Sequence, residues 1–129
     1  MAERILIVDD DLSVLKSFER VLARKGYAVD TALSGDETLD RLRKSSYPVV
    51  VLDMVLKDSS GLDLIPRIRE QSALTAVIVV TAYASTQTAV ESFRRGAVDY
   101  LEKPCDQRTL CEAVRRGLEC ARAPNGISG

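Results

Sequence analysis

Five residues of this chain have the side-chain types needed to handle a phosphoryl group: Asp9, Asp10, Asp53, Thr81 and Lys103. Asp9 and Asp10 directly follow the aliphatic run Ile5-Leu6-Ile7-Val8, and Asp53 directly follows Val49-Val50-Val51-Leu52. Thr81 ends the run Ala76-Val77-Ile78-Val79-Val80. Lys103 stands just after Val98-Asp99-Tyr100-Leu101 and is followed by Pro104. Carboxylates brought close together raise one another's pKa unless a cation neutralises them. An all-oxygen carboxylate set suits magnesium, which takes octahedral oxygen ligands and keeps several waters. The metal and the lysine would neutralise phosphoryl oxygens, and the hydroxyl would hydrogen-bond one. A carboxylate in such a site can itself be the nucleophile and form an aspartyl-phosphate. Each residue alone has a plainer explanation. An Asp after a strand is often a helix N-cap, the role expected of Asp11, and Thr ends many strands. It is the joint placement that points to chemistry.

The elements that must position these residues are legible in the hydrophobic pattern. The runs 5–8, 49–52 and 76–80 are continuous and rich in β-branched residues, as in strands buried on both faces of a parallel sheet. Two weaker runs, 28–32 and 98–101, complete a set of five strands. Between them the period becomes helical. Leu15, Phe18, Val21 and Leu22 follow Asp11, and Gly26 closes that segment. Ser34 with Glu37 makes a capping-box pattern ahead of Leu39 and Leu42. Ser60 precedes Leu62, Leu64, Ile65 and Ile68, with Pro66 inside the stretch, which predicts a short or kinked helix. Ser85 precedes Ala89, Val90 and Phe93, and Gly96 follows as a stop. Asp106 precedes Leu110, Val114 and Leu118. The order βαβαβαβαβα predicts an α/β, doubly wound, flavodoxin-like sheet with right-handed crossovers and strand order 2-1-3-4-5. Its site belongs at the carboxyl ends of the strands, where the polar residues fall. One domain is expected over residues 1–122, with 123–129 a frayed tail or the start of a linker.

Composition removes several classes of function. The chain has 129 residues, 18 Lys plus Arg against 19 Asp plus Glu, and no His. A net charge of -1 argues against a basic nucleic-acid module. The lack of His removes His-based triads, His–metal sites and the usual pH switch. Cys105, Cys111 and Cys120, an odd number in the last quarter, read as free thiols in a reducing cytosol. No apolar run is long enough for a membrane span, and no signal peptide is visible, so a cytoplasmic location is expected.

The motifs resemble the receiver domain of two-component response regulators. Ile5-Leu6-Ile7-Val8-Asp9-Asp10 is similar to the family's opening strand and acidic pair. Asp53, with Gly61 eight residues later, resembles the phosphoacceptor segment and its turn. Val80-Thr81-Ala82-Tyr83 resembles the hydroxyl segment, and Asp99-Tyr100-Leu101-Glu102-Lys103-Pro104 the lysine segment. The separations, 28 residues from Asp53 to Thr81 and 22 from Thr81 to Lys103, fit the family, and the resemblance runs from about Arg4 to Arg122. It implies that Asp53 accepts a phosphoryl group from a phosphohistidine of a sensor histidine kinase. It implies magnesium, or manganese in its place, bound by Asp10, Asp53 and the Val55 carbonyl, with Asp9 acting through a water. Lys103 would pair with Asp53 or with the phosphoryl group. Thr81 would move toward a phosphoryl oxygen, and Tyr100 would swing inward and alter the face made by helix 4, strand 5 and helix 5. The Lys103–Pro104 bond would be cis. Such a domain modifies only itself and is not otherwise an enzyme.

The chain departs from the family pattern in places. Asp53-Met54-Val55-Leu56-Lys57-Asp58 lacks the frequent Met-Pro, which allows a differently positioned loop. Val55 and Tyr83 bear on how water reaches an acyl phosphate. Cys105 stands where Phe is common and reads as core packing. The stretch from Thr81 to Leu101 is most similar to N-terminal receivers of sigma-54-dependent transcriptional activators, whose ATPase and DNA-binding domains have no counterpart here. Two other readings differ in class. A haloacid dehalogenase-type phosphatase would use Asp9-x-Asp11, but it needs its nucleophile on strand 1 and a further acidic motif. A non-phosphorylated scaffold finds no support, because the whole residue set is present. A flavin protein of the same fold is opposed by the acidic triplet. Arg94, Arg95, Arg115 and Arg116 form basic pairs that are either a solvated face or a homodimer contact with Asp99 or Glu119 of a second chain.

Overall fold

The computed structural model describes residues 2–122; the expected tail at 123–129 lies outside the described residues. Five strands and five helices alternate: β1 Arg4–Val8, α1 Leu12–Arg24, β2 Ala28–Ala32, α2 Gly35–Lys44, β3 Val49–Asp53, α3 Gly61–Gln71, β4 Ala76–Thr81, α4 Thr86–Arg95, β5 Ala97–Glu102 and α5 Gln107–Arg122. All strand pairs are parallel, in the order β2-β1-β3-β4-β5, as the sequence pattern predicts.

The continuous aliphatic runs become the central strands because alternate side chains serve two cores. Leu6, Val8, Val50, Leu52, Val77 and Val79 pack with Leu39 and Leu42 of α2 and with Leu64, Ile65 and Ile68 of α3. Ile5, Ile7, Val49, Val51, Ile78 and Val80 pack on the other face with Leu15, Phe18 and Leu22 of α1 and with Leu110, Val114 and Leu118 of α5. Each fully buried aliphatic side chain contributes about 1.5–3 kcal/mol relative to exposure. The two weak runs are the edge strands. β2 is mostly half-buried and β5 only partly buried, so polar residues such as Asp30 and Asp99 are tolerated there.

The helix starts carry their expected caps. Asp11 accepts from the Ser13 and Val14 amides, Ser34 from Glu37, Ser60 from Leu62, Ser85 from Thr88, and Asp106 from Thr109. The Ser34–Glu37 box closes differently from the simple pattern: the Glu37 carboxylate accepts from the Leu33 amide at 2.6 Å, one residue ahead of the cap. Gly96 ends α4 at φ 118°, in the left-handed region that glycine enters without strain.

One expectation needs correction, and one helix has an apolar face that lies open. α3 is not short: it runs unbroken through Pro66 for 11 residues. Pro66 removes only the bond its N–H would make to the Leu62 carbonyl, and the buried face of Leu64, Ile65 and Ile68 holds the helix. In α4, the apolar residues Val90 and Phe93 turn outward, 46% and 48% exposed. The small Ser92 is the buried residue instead, and its hydroxyl donates to the Thr88 carbonyl at 2.8 Å.

Candidate functional site

The register of the sheet brings the strand ends into one row. Val8 pairs with Leu52, so Asp9 stands one step beyond, beside Asp53. Asp53 itself pairs with Val80, which places Thr81 one step further along the neighbouring strand. Thr81 pairs with Glu102, and the Lys103 amide donates to the Thr81 carbonyl at 2.8 Å. Four strand ends therefore converge where β1 and β3 lie side by side while their crossovers leave to opposite faces. This is the switch point at which such sheets bind ligands.

Asp9, Asp10 and Asp53 each direct a carboxylate oxygen into a cluster whose atoms all lie within 4.8 Å of one another. Asp9 is buried, and Asp53 nearly so. Lys103 Nζ donates to Asp9 Oδ2 at 2.6 Å and lies 3.7 Å from Asp53 Oδ2. The lysine is thus nearer Asp9 than Asp53. The other Asp9 oxygen accepts from the Asp11 amide at 2.9 Å, which orients that carboxylate from both sides. Burial pushes the Asp53 carboxyl up to about 6, the Asp9 charge adds to this, and Lys103 opposes it. Burial works against the charge of Lys103, but its hydrogen bond to Asp9 and the charges of Asp53 and Asp9 outweigh this and raise its pKa. One lysine does not neutralise three carboxylates. The donor set, all oxygen and partly buried, fits a small hard divalent cation.

The segment after Asp53 is a tight loop. The Val55 amide donates to Asp53 Oδ1 at 3.4 Å, the Leu56 amide to the Ser59 carbonyl at 3.2 Å, and the Gly61 amide to the Met54 carbonyl at 2.7 Å. A Cβ on residue 61 would sit 2.6 Å from the Asp53 carbonyl oxygen, so only glycine fits there. The Lys103–Pro104 bond is cis. A cleft of about 490 Å³ opens beside Lys103, between Ser13, Val14 and Phe18 of α1 and the Pro104-Cys105 segment. Cys105 packs against the α1–α5 core.

Thr81 is fully buried, and its hydroxyl accepts from the Tyr83 amide at 3.0 Å, inside its own turn. Tyr100 is half-buried. Its hydroxyl lies 2.6 Å from Thr88 Oγ1 and accepts from the Ser85 amide at 3.3 Å. Ser85, which caps α4, and Thr88 in its first turn thus join the Tyr100 environment. The capping pattern identified Ser85 in sequence, but nothing there tied either residue to a tyrosine on the next strand. Asp58 is the second residue that sequence reading passed over. Its carboxylate accepts from the Gly35 and Asp36 amides at 2.9 and 3.3 Å. Three of the four arginines are matched within the chain: Arg116 with Asp99, Arg115 with Glu119, and Arg95 with Glu91 and Asp63.

A doubly wound sheet carrying an acidic cluster, a lysine and a hydroxyl at its switch point defines a phosphoacceptor-type α/β domain. Residues 5–115 match the response regulator receiver domain family. The alginate biosynthesis transcriptional regulatory protein AlgB of Pseudomonas aeruginosa is 38% identical over 116 residues, covering 90% of this chain and 26% of that protein. The receiver domain protein (CheY-like) of Methanospirillum hungatei superposes with a TM-score of 0.90 at 32% identity, covering 95% of this chain and 98% of that one. The beryllofluoride-activated NtrC4 receiver domain dimer gives a TM-score of 0.88 at 34% identity, covering 92% and 98%. The chain belongs to the response regulator receiver family and is a phosphoacceptor switch domain rather than a true enzyme. It spans about a quarter of the length of AlgB. Among the described residues, no helix is long and apolar enough to cross a membrane.

Proposed function

We propose that this receiver takes a phosphoryl group onto Asp53 from a phosphohistidine of a sensor histidine kinase, and that the change is passed to α4, β5 and α5. The observation that carries the reading is the convergence of Asp9, Asp10 and Asp53 within 4.8 Å, bridged by Lys103, in a chain of the receiver family. An Asp53 carboxylate oxygen attacks phosphorus as the phosphorus–nitrogen bond to the donor imidazole breaks. The imidazole nitrogen leaves with the electron pair and takes up a proton. Lys103 holds the Asp9 and Asp53 carboxylates and offsets charge on the incoming phosphoryl oxygens. The cleft beside Lys103 leaves the donor room to approach.

Asp10, Asp53 and the Val55 carbonyl would hold magnesium or manganese, with Asp9 acting through a water. When bound, the cation supplies positive charge that keeps Asp53 ionised and screens the phosphoryl oxygens. Thr81 then leaves its bond to the Tyr83 amide for a phosphoryl oxygen, and Tyr100 turns into the vacated space. The Tyr100 hydroxyl contacts with Ser85 and Thr88 support this reading, because they tie its position to the start of α4. Val90 and Phe93 of α4 and Val98 of β5 are exposed on the element pair that would change. That apolar surface, together with the NtrC4 receiver being a dimer when activated by beryllofluoride, supports a homodimer through α4, β5 and α5. Because Arg115 and Arg116 already have acidic partners in the chain, apolar contact would drive that dimer.

Residues 1–122 form the receiver in this reading, with 123–129 leading into a linker. The output is transcriptional, as in AlgB, and of the sigma-54-dependent kind. Its ATPase and DNA-binding functions lie on another segment or partner, and the domain works in the cytoplasm without touching nucleic acid or membrane. The test adds beryllofluoride and magnesium and follows amide NMR shifts and molar mass by light scattering. The expected result is shifts at Thr81, Tyr100 and α4 with doubled mass, both absent in Asp53→Asn. Unchanged spectra in the wild type would overturn the switch, and an unchanged mass would overturn the dimer.

A further inference from the structure

Asp58 sits in the loop that carries Val55, yet its carboxylate is spent on a different element. Oδ1 accepts from the Gly35 amide at 2.9 Å and Oδ2 from the Asp36 amide at 3.3 Å. These are the first two amides of α2, which have no partner within the helix. The helix dipole favours an anion at that end. α2 has its own cap in Ser34, whose hydroxyl takes the Glu37 amide at 3.1 Å, so the two caps serve different donors. Gly35 permits the approach: a Cβ there would lie 2.5 Å from Ser59 Oγ. The same loop is closed on itself by the Leu56–Ser59 bond and tied back to the end of β3 by the Gly61–Met54 bond.

We propose that Asp58 is a positioning residue for cation binding: by clamping the β3–α3 loop onto the first turn of α2, it holds the Val55 carbonyl in place relative to Asp53 and Asp10. The proposal rests on the reading of Asp10, Asp53 and Val55 as the cation site. Asp58 does not touch the cation. A loop fixed at both ends loses little freedom on binding, whereas a loop released from α2 must be ordered by the cation itself. Partners that orient ligands in this way typically alter metal affinity about tenfold or more when removed.

The test is the dissociation constant of magnesium chloride, measured by calorimetry on the full chain, beside the thermal midpoint of each variant. Asp58→Ala is expected to weaken magnesium about tenfold. Asp58→Asn, which keeps one carbonyl oxygen for the Gly35 amide, recovers most of that loss. Ser34→Ala removes the other α2 cap, so it lowers the thermal midpoint and leaves the dissociation constant unchanged. Wild-type affinity in Asp58→Ala would overturn the clamp. So would equal weakening in Asp58→Ala and Ser34→Ala, since that is the mark of general α2 destabilisation. Asp10→Asn is the control for the underlying reading. If it binds magnesium as the wild type does, the cation site itself is misassigned, whatever Asp58 does.

Discussion

At the scale of single residues, Asp53 is held in an electrostatic conflict. Its carboxyl is pushed up to about 6 by burial and by the neighbouring Asp9, against an ordinary value near 3.8 in the unfolded chain. The folded state therefore binds that proton more tightly than the unfolded state. Ionised Asp53 costs stability above the folded value, and the cost vanishes below the ordinary carboxylate range. In chelator, Asp53→Asn is expected to stabilise the protein near neutral pH by about 1–2 kcal/mol, after allowance for solvent screening. The gain should fade as the pH falls through 6 toward 4. Thermal unfolding of both proteins across that range checks it, and a pH-independent difference would contradict it. The acidic cluster, Thr81 and Lys103 were legible in sequence because each stands within two residues of the end of a hydrophobic run. The preference of Lys103 for Asp9 was not, because it depends on a difference of about 1 Å between two carboxylates.

At the scale of elements, the loop after Asp53 and the start of α4 are where local sequence and tertiary context part. The loop is built around Gly61. Gly61→Ala would set a Cβ 2.6 Å from the Asp53 carbonyl oxygen and 2.7 Å from Met54 Cα. Both are backbone atoms, so the loop must shift rather than a side chain rotate. The expected cost is about 1–3 kcal/mol, read in a denaturant midpoint, with weaker magnesium affinity as the loop moves off Asp53. An unaltered midpoint would mean that the loop is slack. Helix caps could be anticipated because a cap and its amide lie within three residues of each other. The Asp58 bonds could not, because their partners are 23 and 22 residues away, and an Asp in a loop is unremarkable by itself. The outward turn of Val90 and Phe93 was hidden for a related reason. Helical spacing shows that a face exists, but the neighbouring elements decide whether it is covered.

At the scale of the whole molecule, the sheet supplies rigidity and the site supplies tension. The two aliphatic cores meet at a fully buried central β3 and β4, so the strand ends that carry Asp53 and Thr81 rest on the most buried part of the fold. The fold order was legible because parallel strands buried on both faces write themselves as unbroken aliphatic runs. The proposed movement of Thr81 and Tyr100 has a different basis: only the family resemblance implies it, because hydrophobic patterns report burial and not the small energy differences that would separate two states. The two aliphatic cores need no metal staple, so a cation at the proposed site would bind an arrangement that is already folded. Magnesium at a hundred times its dissociation constant is expected to add about 2.7 kcal/mol to unfolding free energy, measured by denaturation with and without chelator. Most of that gain should be lost in Asp10→Asn. A chelated protein that is unfolded would contradict this division of labour.

The most direct measurement of the central claim is intact mass after incubation with acetyl phosphate, with and without magnesium, for the wild type and Asp53→Asn. A gain of about 80 Da, one phosphoryl group, is expected in the wild type with magnesium only, and none in the variant. The same gain in Asp53→Asn would place the phosphoryl group elsewhere and contradict the account. So would its absence from wild type that also fails to respond to beryllofluoride.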